Sequence, residues 1–313
     1  MTAYRSGPAI KRVGLVAGGY VGAGWAAFLL SRGLEVRVYM RRPEAADELR
    51  SAVQTMWPDL VQIGLAADAD PSRLIVLPSL DAALEGCDFV QENAPENPAL
   101  KAKLYQEIDA AVPADVLIAS STSSLSITDM QAHCTHPQRC VLGHPFTPTH
   151  LMRLVEVVGG AQTDPAAVDA AIRTYEGWGK KPVRLNREIF GHIGNRLASA
   201  LWREAVNLLL EGVASVEDID KALVEGPGRK WAIAGPFESY HLSGGKGGMS
   251  RFLDSYSAGI QRRWDDLGAP RLDATTKDRI ASQVEQGFSR APLAEREARR
   301  GALLVAMMRA LDT

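Results

Sequence analysis

The sequence has few cysteines and no long apolar run, and these shortages exclude several classes of protein. Its three cysteines, Cys87, Cys134 and Cys140, are odd in number and lack C-x-x-C spacing, so neither a disulfide framework nor a structural zinc site is indicated. No segment approaches the ~20 apolar residues of a membrane span, and the N-terminus lacks the apolar core of a signal peptide. We therefore expect a cytoplasmic, metal-free protein.

An excess of charge of one sign is also missing. The formal net charge is −2, which gives no electrostatic basis for binding nucleic acid or an anionic membrane. With 313 residues, of which 46% are hydrophobic and 23% charged, the chain has the composition of a globular protein of about two domains. A small molecule is the expected binding partner.

The first forty residues have the pattern of a dinucleotide-binding βαβ unit. Residues 13–16 predict a buried strand, 25–30 a helix and Glu35–Tyr39 a second strand. The turn after the first strand matches G-x-G-x-x-G in part, with alanine at the first position, where a Cβ costs about 1 kcal/mol if φ is positive. In such units a pyrophosphate lies on backbone N–H groups at the helix N-terminus. The predicted cofactor-binding residues of the turn are Ala17, Gly19, Tyr20, Val21 and Gly22.

The end of the second strand indicates which dinucleotide is bound. NAD-binding units normally place Asp or Glu there to accept hydrogen bonds from the adenosine ribose. Here Met40 takes that place and is followed by Arg41 and Arg42, two guanidiniums that can hold a 2′-phosphate. The pattern favours NADP(H), with NAD(H) as the alternative.

Alternating strands and helices continue to about residue 187. Further strands are predicted at residues 74–77, 89–91, 116–119, 140–143, 154–158 and 182–185, and a largely helical stretch at 43–63 with a break at Pro58. Beyond Asn186 the periodicity predicts only helices, at residues 194–211, 216–225, 249–267, 275–286 and 293–311. The expected fold class is α/β, with a Rossmann-type doubly wound domain (residues 1–187) followed by an all-helical domain (188–313).

Two polar stretches lie where a ligand would be met. Residues 119–125, Ala-Ser-Ser-Thr-Ser-Ser-Leu, follow a buried strand, and strand ends of open α/β sheets face the ligand crevice. A serine-rich loop is, however, often only a loop. Residues 190–197 lie at the predicted interdomain junction, where Asn195 either faces the cleft or is an ordinary helix cap.

His144 is the strongest candidate for acid–base chemistry. It lies at a strand end, where Pro145 and Pro148 restrict the backbone, and Glu156 on the following strand can hold the imidazole in one tautomer. No nucleophile elbow, metal-ligand spacing or P-loop accompanies it. What remains is a nicotinamide and one histidine, the minimum for moving hydride and proton to or from a C=O or C=N bond.

Five motifs, in this order and spacing, resemble those of the 3-hydroxyacyl-CoA dehydrogenase superfamily. They are the glycine turn, Ser-Ser-Thr-Ser-Ser-Leu, Gly-His-Pro-Phe, Leu-Val-Glu-Val-Val and Gly-Asn-Arg-Leu. Residues 235–242 and 252–257 are similar to the short lambda-crystallin/L-gulonate 3-dehydrogenase branch, and residues 229–233 to the L-carnitine dehydrogenases. The likeness covers nearly the whole chain.

This resemblance implies a role for each matching residue. His144 would be the general acid–base, paired with Glu156, while Ser123 and Asn195 would bond the reacting oxygen and hold the nicotinamide side of the pocket. Two residues would line the nicotinamide end of the cleft, Glu96 and Lys101. The family's helical domain forms a homodimer, and its segment near the cleft would supply Trp231, Phe237, Tyr240 and His241. The alternative is that these four residues simply fill the helical core.

Several positions depart from the family pattern. Thr147 stands where His-Pro-Phe-Asn-Pro has asparagine, and Arg153 replaces the usual proline before Leu-Val-Glu. These changes leave the acid–base pair intact and place Thr147 among the candidate substrate residues. Between Lys11 and Lys101 the chain has no lysine, so the anionic tail of CoA would find little to hold it.

The leading hypothesis is an NADP(H)-dependent oxidoreductase acting on a small non-CoA 3-hydroxy/3-oxo acid or related carbonyl compound. An NADPH-dependent imine reductase on the same scaffold is the alternative enzyme, which the altered loop from Thr147 to Arg153 and the paired arginines leave open. A crystallin-like structural protein is the non-enzymatic alternative. It is disfavoured by the presence of both the His144–Glu156 pair and the glycine-rich turn.

Overall fold

The computed structural model describes residues 3–311, which form two compact units. The first runs to Asn195 and also includes Ala302–Arg309, and the second is Arg196–Gly301 with the residues from Ala310 onward. The boundary between domains near residue 187 stays a prediction. Within the described residues, no helix combines the length and apolar character needed to cross a membrane.

The first unit is built on one eight-stranded sheet. Its strands are β1 (Arg12–Val16), β2 (Glu35–Tyr39), β3 (Leu74–Leu77), β4 (Phe89–Glu92), β5 (Leu117–Ser120), β6 (Cys140–Pro145), β7 (Leu154–Gly159) and β8 (Lys181–Arg184). They lie in the order β3-β2-β1-β4-β5-β6-β7-β8, and neighbours are parallel except β6 and β7, which are antiparallel. All eight predicted strands are present, and the predicted fold class is confirmed.

Six helices cover the two faces of the sheet. They are α1 (Tyr20–Ser31), α2 (Ala46–Ile63), α3 (Leu80–Leu84), α4 (Pro98–Ala111), α5 (Ile127–Gln131) and α6 (Pro165–Gly177). Buried residues of α1, α2 and α6 pack on one face, and those of α3, α4 and α5 on the other. This arrangement leaves the carboxyl ends of the parallel strands open at one edge of the sheet, where ligands of such folds bind.

The break predicted at Pro58 is wrong, because α2 continues through it to Ile63. Leu49 and Val53 before the proline and Leu60 after it are all buried in the same core. This shared packing offsets the ~3 kcal/mol that proline costs inside a helix.

The rest of the chain is helical, as predicted. It contains α7 (Gly194–Leu210), α8 (Val216–Glu225), α9 (Pro227–Trp231), α10 (Pro236–Ser243), α11 (Gly248–Asp266), α12 (Ala274–Phe288) and α13 (Leu293–Leu311), with no strand among the described residues after Arg184. In the second unit, α10 packs against α11, and α12 against α8. Helices α9 and α10 are five and eight residues long, too short for periodicity to predict.

Candidate active site

A cavity of ≈350 Å³ lies at the carboxyl ends of β4, β5 and β6, beside the start of α1. Parallel strands end at the same edge of a sheet, so loops far apart in sequence meet here. Seven residues predicted from the sequence line this one cavity: Val21, Glu96, Lys101, Ser123, His144, Thr147 and Asn195. Six further lining residues were not predicted: Asn93, Ala94, Pro95, Ser121, Pro145 and Phe146.

His144 and Glu156 form a hydrogen-bonded pair across two strands. The antiparallel register places them directly opposite each other, and Nδ1 of His144 lies 2.8 Å from Oε2 of Glu156. A carboxylate only accepts, so Nδ1 carries a proton and Nε2 is the ring atom that can gain or lose one.

The second oxygen of Glu156 is held by backbone amides at the start of α7. Oε1 accepts hydrogen bonds from the N–H groups of Ile193 (2.6 Å) and Gly194 (2.9 Å). Burial alone raises the pKa of Glu156, but the bonds from His144 and the two amides outweigh it, so the pKa lies below its usual value. Glu156 is therefore an anion that orients His144.

Glu96 organises the serine-rich loop. Its carboxylate accepts bonds from the hydroxyl of Thr122 (2.7 Å) and from the amide (2.5 Å) and hydroxyl (2.8 Å) of Ser123. Burial raises the pKa of Glu96, and these bonds lower it by more, so the pKa falls below its usual value. The cavity wall at this point carries a negative charge.

The positive charge of Lys101 is balanced by the carboxylate of Glu92, a residue that was not predicted to belong to the site. Its ammonium lies 2.8 Å from each oxygen of Glu92, and both side chains are buried, whereas Glu96 is 4.0 Å away. Glu92 also accepts a bond from the hydroxyl of Ser120 (2.6 Å). The available signal was the polar triplet Gln-Glu-Asn at the end of an otherwise apolar strand.

The glycine-rich turn fits a pyrophosphate. Ala17 has a φ of +74°, a conformation in which its Cβ is strained, and a Cβ at Gly22 would overlap the Ala17 carbonyl oxygen. A Cβ at Gly19 would meet nothing within 4 Å, so the backbone is open to a ligand at the start of α1. Tyr20, next to it, is 61% exposed.

Two arginines directly after β2 have exposed guanidinium groups without ion-pair partners in the described part of the chain. Met40 turns its sulfur toward Gly18, where an added Cβ would lie 3.1 Å from it. Arg41 and Arg42 are exposed, and neither has an ion-pair partner among residues 3–311. They do not line the cavity around His144; they lie at the β2 end, where a dinucleotide's adenosine ribose would be placed.

His192 is a second histidine beside the His144–Glu156 pair, and its position there was not predicted. Its ring lies 5.0 Å from that of His144, and its Nε2 bonds the Thr122 carbonyl at 3.1 Å. Burial lowers the pKa of His192, an effect that the Thr122 bond opposes and His144 reinforces. The lowered pKa of His192 favours the neutral form of its ring.

The four predicted residues of the helical unit lie in α9 and α10 and are exposed in the single chain. Trp231 is 38%, Phe237 83% and Tyr240 45% exposed, so they do not fill a core. Tyr240 stacks on Phe252 at 4.9 Å, and Nδ1 of His241 accepts a bond from the amide of Met249.

Comparison with known proteins gives matches along most of the chain. The family model of the 3-hydroxyacyl-CoA dehydrogenase NAD-binding domain matches residues 12–189, and that of the C-terminal domain matches residues 191–283. The chain is 43% identical to an L-carnitine dehydrogenase from Streptomyces griseus over 96% of this chain and 90% of that protein. An L-carnitine dehydrogenase from Pseudomonas aeruginosa is 40% identical over 96% and 94%.

A solved structure is similar over nearly its full length. It is 5-formyl-3-hydroxy-2-methylpyridine 4-carboxylic acid 5-dehydrogenase, an NAD+-dependent dismutase, with a TM-score of 0.84 and 28% identity over 97% of this chain and 99% of that one. Together these matches confirm the resemblance seen in the motifs and identify an oxidoreductase with a nicotinamide cofactor. The chain belongs to the 3-hydroxyacyl-CoA dehydrogenase family.

Proposed function

We propose that the protein is an NADP(H)-dependent dehydrogenase of a small, non-CoA 3-hydroxy acid, with His144 and Glu156 as its acid–base pair. The observation that carries this proposal is the 2.8 Å bond from Glu156 to Nδ1 of His144, a residue that lines the cavity. A histidine fixed in one tautomer by a buried carboxylate is suited to proton transfer at its other ring nitrogen.

In the oxidation direction, the substrate hydroxyl donates a hydrogen bond to Nε2 of His144. This nitrogen takes the hydroxyl proton while the carbinol carbon loses its hydrogen as hydride. The nicotinamide supplies the hydride acceptor. Glu156 stabilises the imidazolium that forms, because its carboxylate accepts the Nδ1 proton at 2.8 Å. Ser123 and Asn195, which line the same cavity, are proposed to bond the reacting oxygen. In reduction the same groups act in reverse.

The charges of the cavity suit a small substrate with a cationic group. Its ≈350 Å³ falls at the lower end of the roughly 300–1,000 Å³ range of ligand pockets. The described lining contains no arginine, Lys101 is neutralised by Glu92, and Glu96 contributes an anion. L-carnitine, the substrate that the relatives' names give, is such a 3-hydroxy acid with a cationic ammonium group. We propose substrates of this class.

Arg41 and Arg42 support NADP(H) over NAD(H). No carboxylate is present at the end of β2 to accept bonds from ribose hydroxyls, and both guanidiniums are exposed without ion-pair partners in the described chain. We expect NADPH to bind about tenfold more tightly than NADH, equivalent to ~1.4 kcal/mol.

We also propose that the helical unit forms a homodimer. Large apolar side chains on it are exposed in the single chain, among them Trp202 (51%), Ile233 (77%) and Trp264 (66%). Exposed apolar surface of this extent is typical of protein interfaces. Trp231, Phe237, Tyr240 and His241 are proposed to contribute to substrate recognition. Sedimentation velocity of the purified chain tests the dimer.

Two measurements test the proposed function. Fluorescence titration with NADPH and NADH measures the cofactor preference, and equal affinities would contradict it. A turnover screen with L-carnitine, 3-hydroxybutyrate, 3-hydroxybutyryl-CoA and a cyclic imine measures the reaction class. We expect turnover of the free hydroxy acids. Turnover of the imine alone would establish an imine reductase, and preference for the CoA ester would remove the non-CoA assignment.

A further inference from the structure

A chain of hydrogen bonds beside the cavity begins at Gln91. Each donor and acceptor in it can be assigned, because several of its groups can only donate or only accept. The side chain of Gln91 is fully buried. Its amide bonds the carbonyl of Gly143 (3.0 Å), the hydroxyl of Ser121 (2.8 Å) and the hydroxyl of Tyr175 (2.6 Å). A carbonyl oxygen only accepts, so the group facing Gly143 is the NH2, and the amide oxygen accepts from Tyr175.

The hydrogen bonds of Ser121 determine which way the Asn93 amide is oriented. Its hydroxyl oxygen accepts bonds from Gln91 and from the indole N–H of Trp25 (3.1 Å), which can only donate. The hydroxyl proton is therefore free to donate to Oδ1 of Asn93 at 2.7 Å. The Asn93 side chain thus has its oxygen occupied and its orientation set.

One donor of Asn93 is left over. Its Nδ2 donates one hydrogen to the backbone carbonyl of Gln91 at 3.0 Å, and no other described residue accepts the second hydrogen. Asn93 lines the cavity, in the loop directly after β4. It also lies beside the glycine-rich turn, since a Cβ added at Gly22 would be 3.6 Å from the Asn93 Cβ.

The chain of bonds is rigid. A Cβ at Gly143 would overlap the Tyr175 hydroxyl, so the close approach of α6 to β6 requires a glycine immediately before His144. Trp25, Gln91 and Tyr175 are buried and each has its polar group bonded, and fully satisfied buried networks hold their members in one arrangement. The amide of Asn93 is held at a fixed position relative to His144.

We propose that Asn93 is a ligand-binding residue whose remaining amide N–H donates to an acceptor oxygen of the molecule held in the cavity. This inference rests on the proposed function. Two sources have the required chemistry: a hydroxyl oxygen of the cofactor's nicotinamide ribose, or a carboxylate or carbonyl oxygen of the substrate. The position beside Gly22, at the start of α1, favours the cofactor.

Asn93→Ala tests the proposal, with Asn186→Ala as the matched control on an exposed asparagine that does not line the cavity. We expect Asn93→Ala to raise the Kd of NADPH by about three- to tenfold, the effect of one hydrogen bond. Ser121→Ala, which releases the Asn93 oxygen, should have a smaller effect of the same sign. Asn93→Asp keeps the shape without the N–H, and it repeats the test if the alanine variant is unstable.

Each outcome is decisive. If the Kd of NADPH is unchanged and the KM of L-carnitine rises by the same factor, the N–H serves the substrate instead of the cofactor. If both constants of the Asn93 variants stay within twofold of wild type, Asn93 binds no ligand and the proposal is wrong. If the wild type binds neither NADPH nor NADH, the proposed function itself fails, a result distinct from an unaffected variant.

Discussion

Replacing Glu156 by glutamine tests the acid–base pair with almost no change of shape. In the native protein one carboxylate oxygen accepts from His144 and the other from the amides of Ile193 and Gly194. Glutamine offers one acceptor oxygen and one NH2 donor. Because the two backbone amides can only donate, they hold the glutamine oxygen, and the NH2 faces Nδ1 of His144.

That NH2 forces His144 into the other tautomer. Nδ1 then has to present a lone pair, and the ring proton moves to Nε2, the atom proposed to accept the substrate proton in oxidation. We expect kcat for oxidation to fall by roughly 10²–10⁴, the range of a lost general base. The Kd of NADPH should stay within about twofold of wild type, because Glu156 does not line the cavity.

The assay is steady-state oxidation of the best substrate, with cofactor reduction followed by absorbance at several pH values. Glu156→Asp is the control, because it keeps the charge and shortens the reach. A loss smaller than tenfold in Glu156→Gln, or a loss that high pH restores fully, would refute the tautomer argument.

The pH dependence of the free energy of unfolding tests whether Glu156 is ionised in the folded protein. The pKa of Glu156 is lowered in the folded state, so its stabilisation is present above the unfolded-state pKa and is lost as pH falls through the folded value. Between about pH 5 and pH 3 the wild type should therefore lose more free energy of unfolding than Glu156→Gln. Equal losses, measured by urea titration, would show that Glu156 is not ionised in the folded protein.

Four further variants have defined outcomes. His144→Ala should lower kcat by roughly 10²–10⁴ with cofactor affinity nearly unchanged; retained activity would move the proton donor elsewhere. The Arg41→Ala/Arg42→Ala double variant should bring the Kd of NADPH to within about twofold of that of NADH, and a preserved preference would assign selectivity to another residue. Trp231→Ala or Tyr240→Ala should raise KM or change substrate choice with the Tm shifted by only a few degrees. A large Tm loss with unchanged KM would make them structural.

The sequence alone predicts the strands well, because β1, β5 and β6 contain short apolar runs and, like β4, are buried on both faces. It also anticipates that His144 and Glu156 can meet, since each lies on one of two consecutive strands. Seven predicted residues line one cavity, because the loops that follow neighbouring strands converge at one edge of the sheet.

Other features depend on information that the residue pattern does not contain. The direction of β7 is not encoded in its apolar run, yet it decides that His144 lies opposite Glu156. The Glu92–Lys101 pair and the bond from Tyr175 to Gln91, 84 residues apart, depend on tertiary packing that periodicity does not report. Pro58 shows the reverse case, where a strong local signal is overridden by burial of the helix on both sides of it.

The antiparallel β6–β7 pairing holds the His144–Glu156 pair independently of the loop that joins the two strands. His144 and Glu156 are held by the strand register and by the amides at the start of α7, whereas the loop between the strands supplies Phe146 and Thr147 to the cavity. The base of that loop is fixed separately, because Lys180 donates to the carbonyls of Thr149 and Met152. The middle of the loop can therefore diverge or be exchanged without disturbing the His144–Glu156 pair, so that new substrates can be acquired while the proposed reaction stays the same.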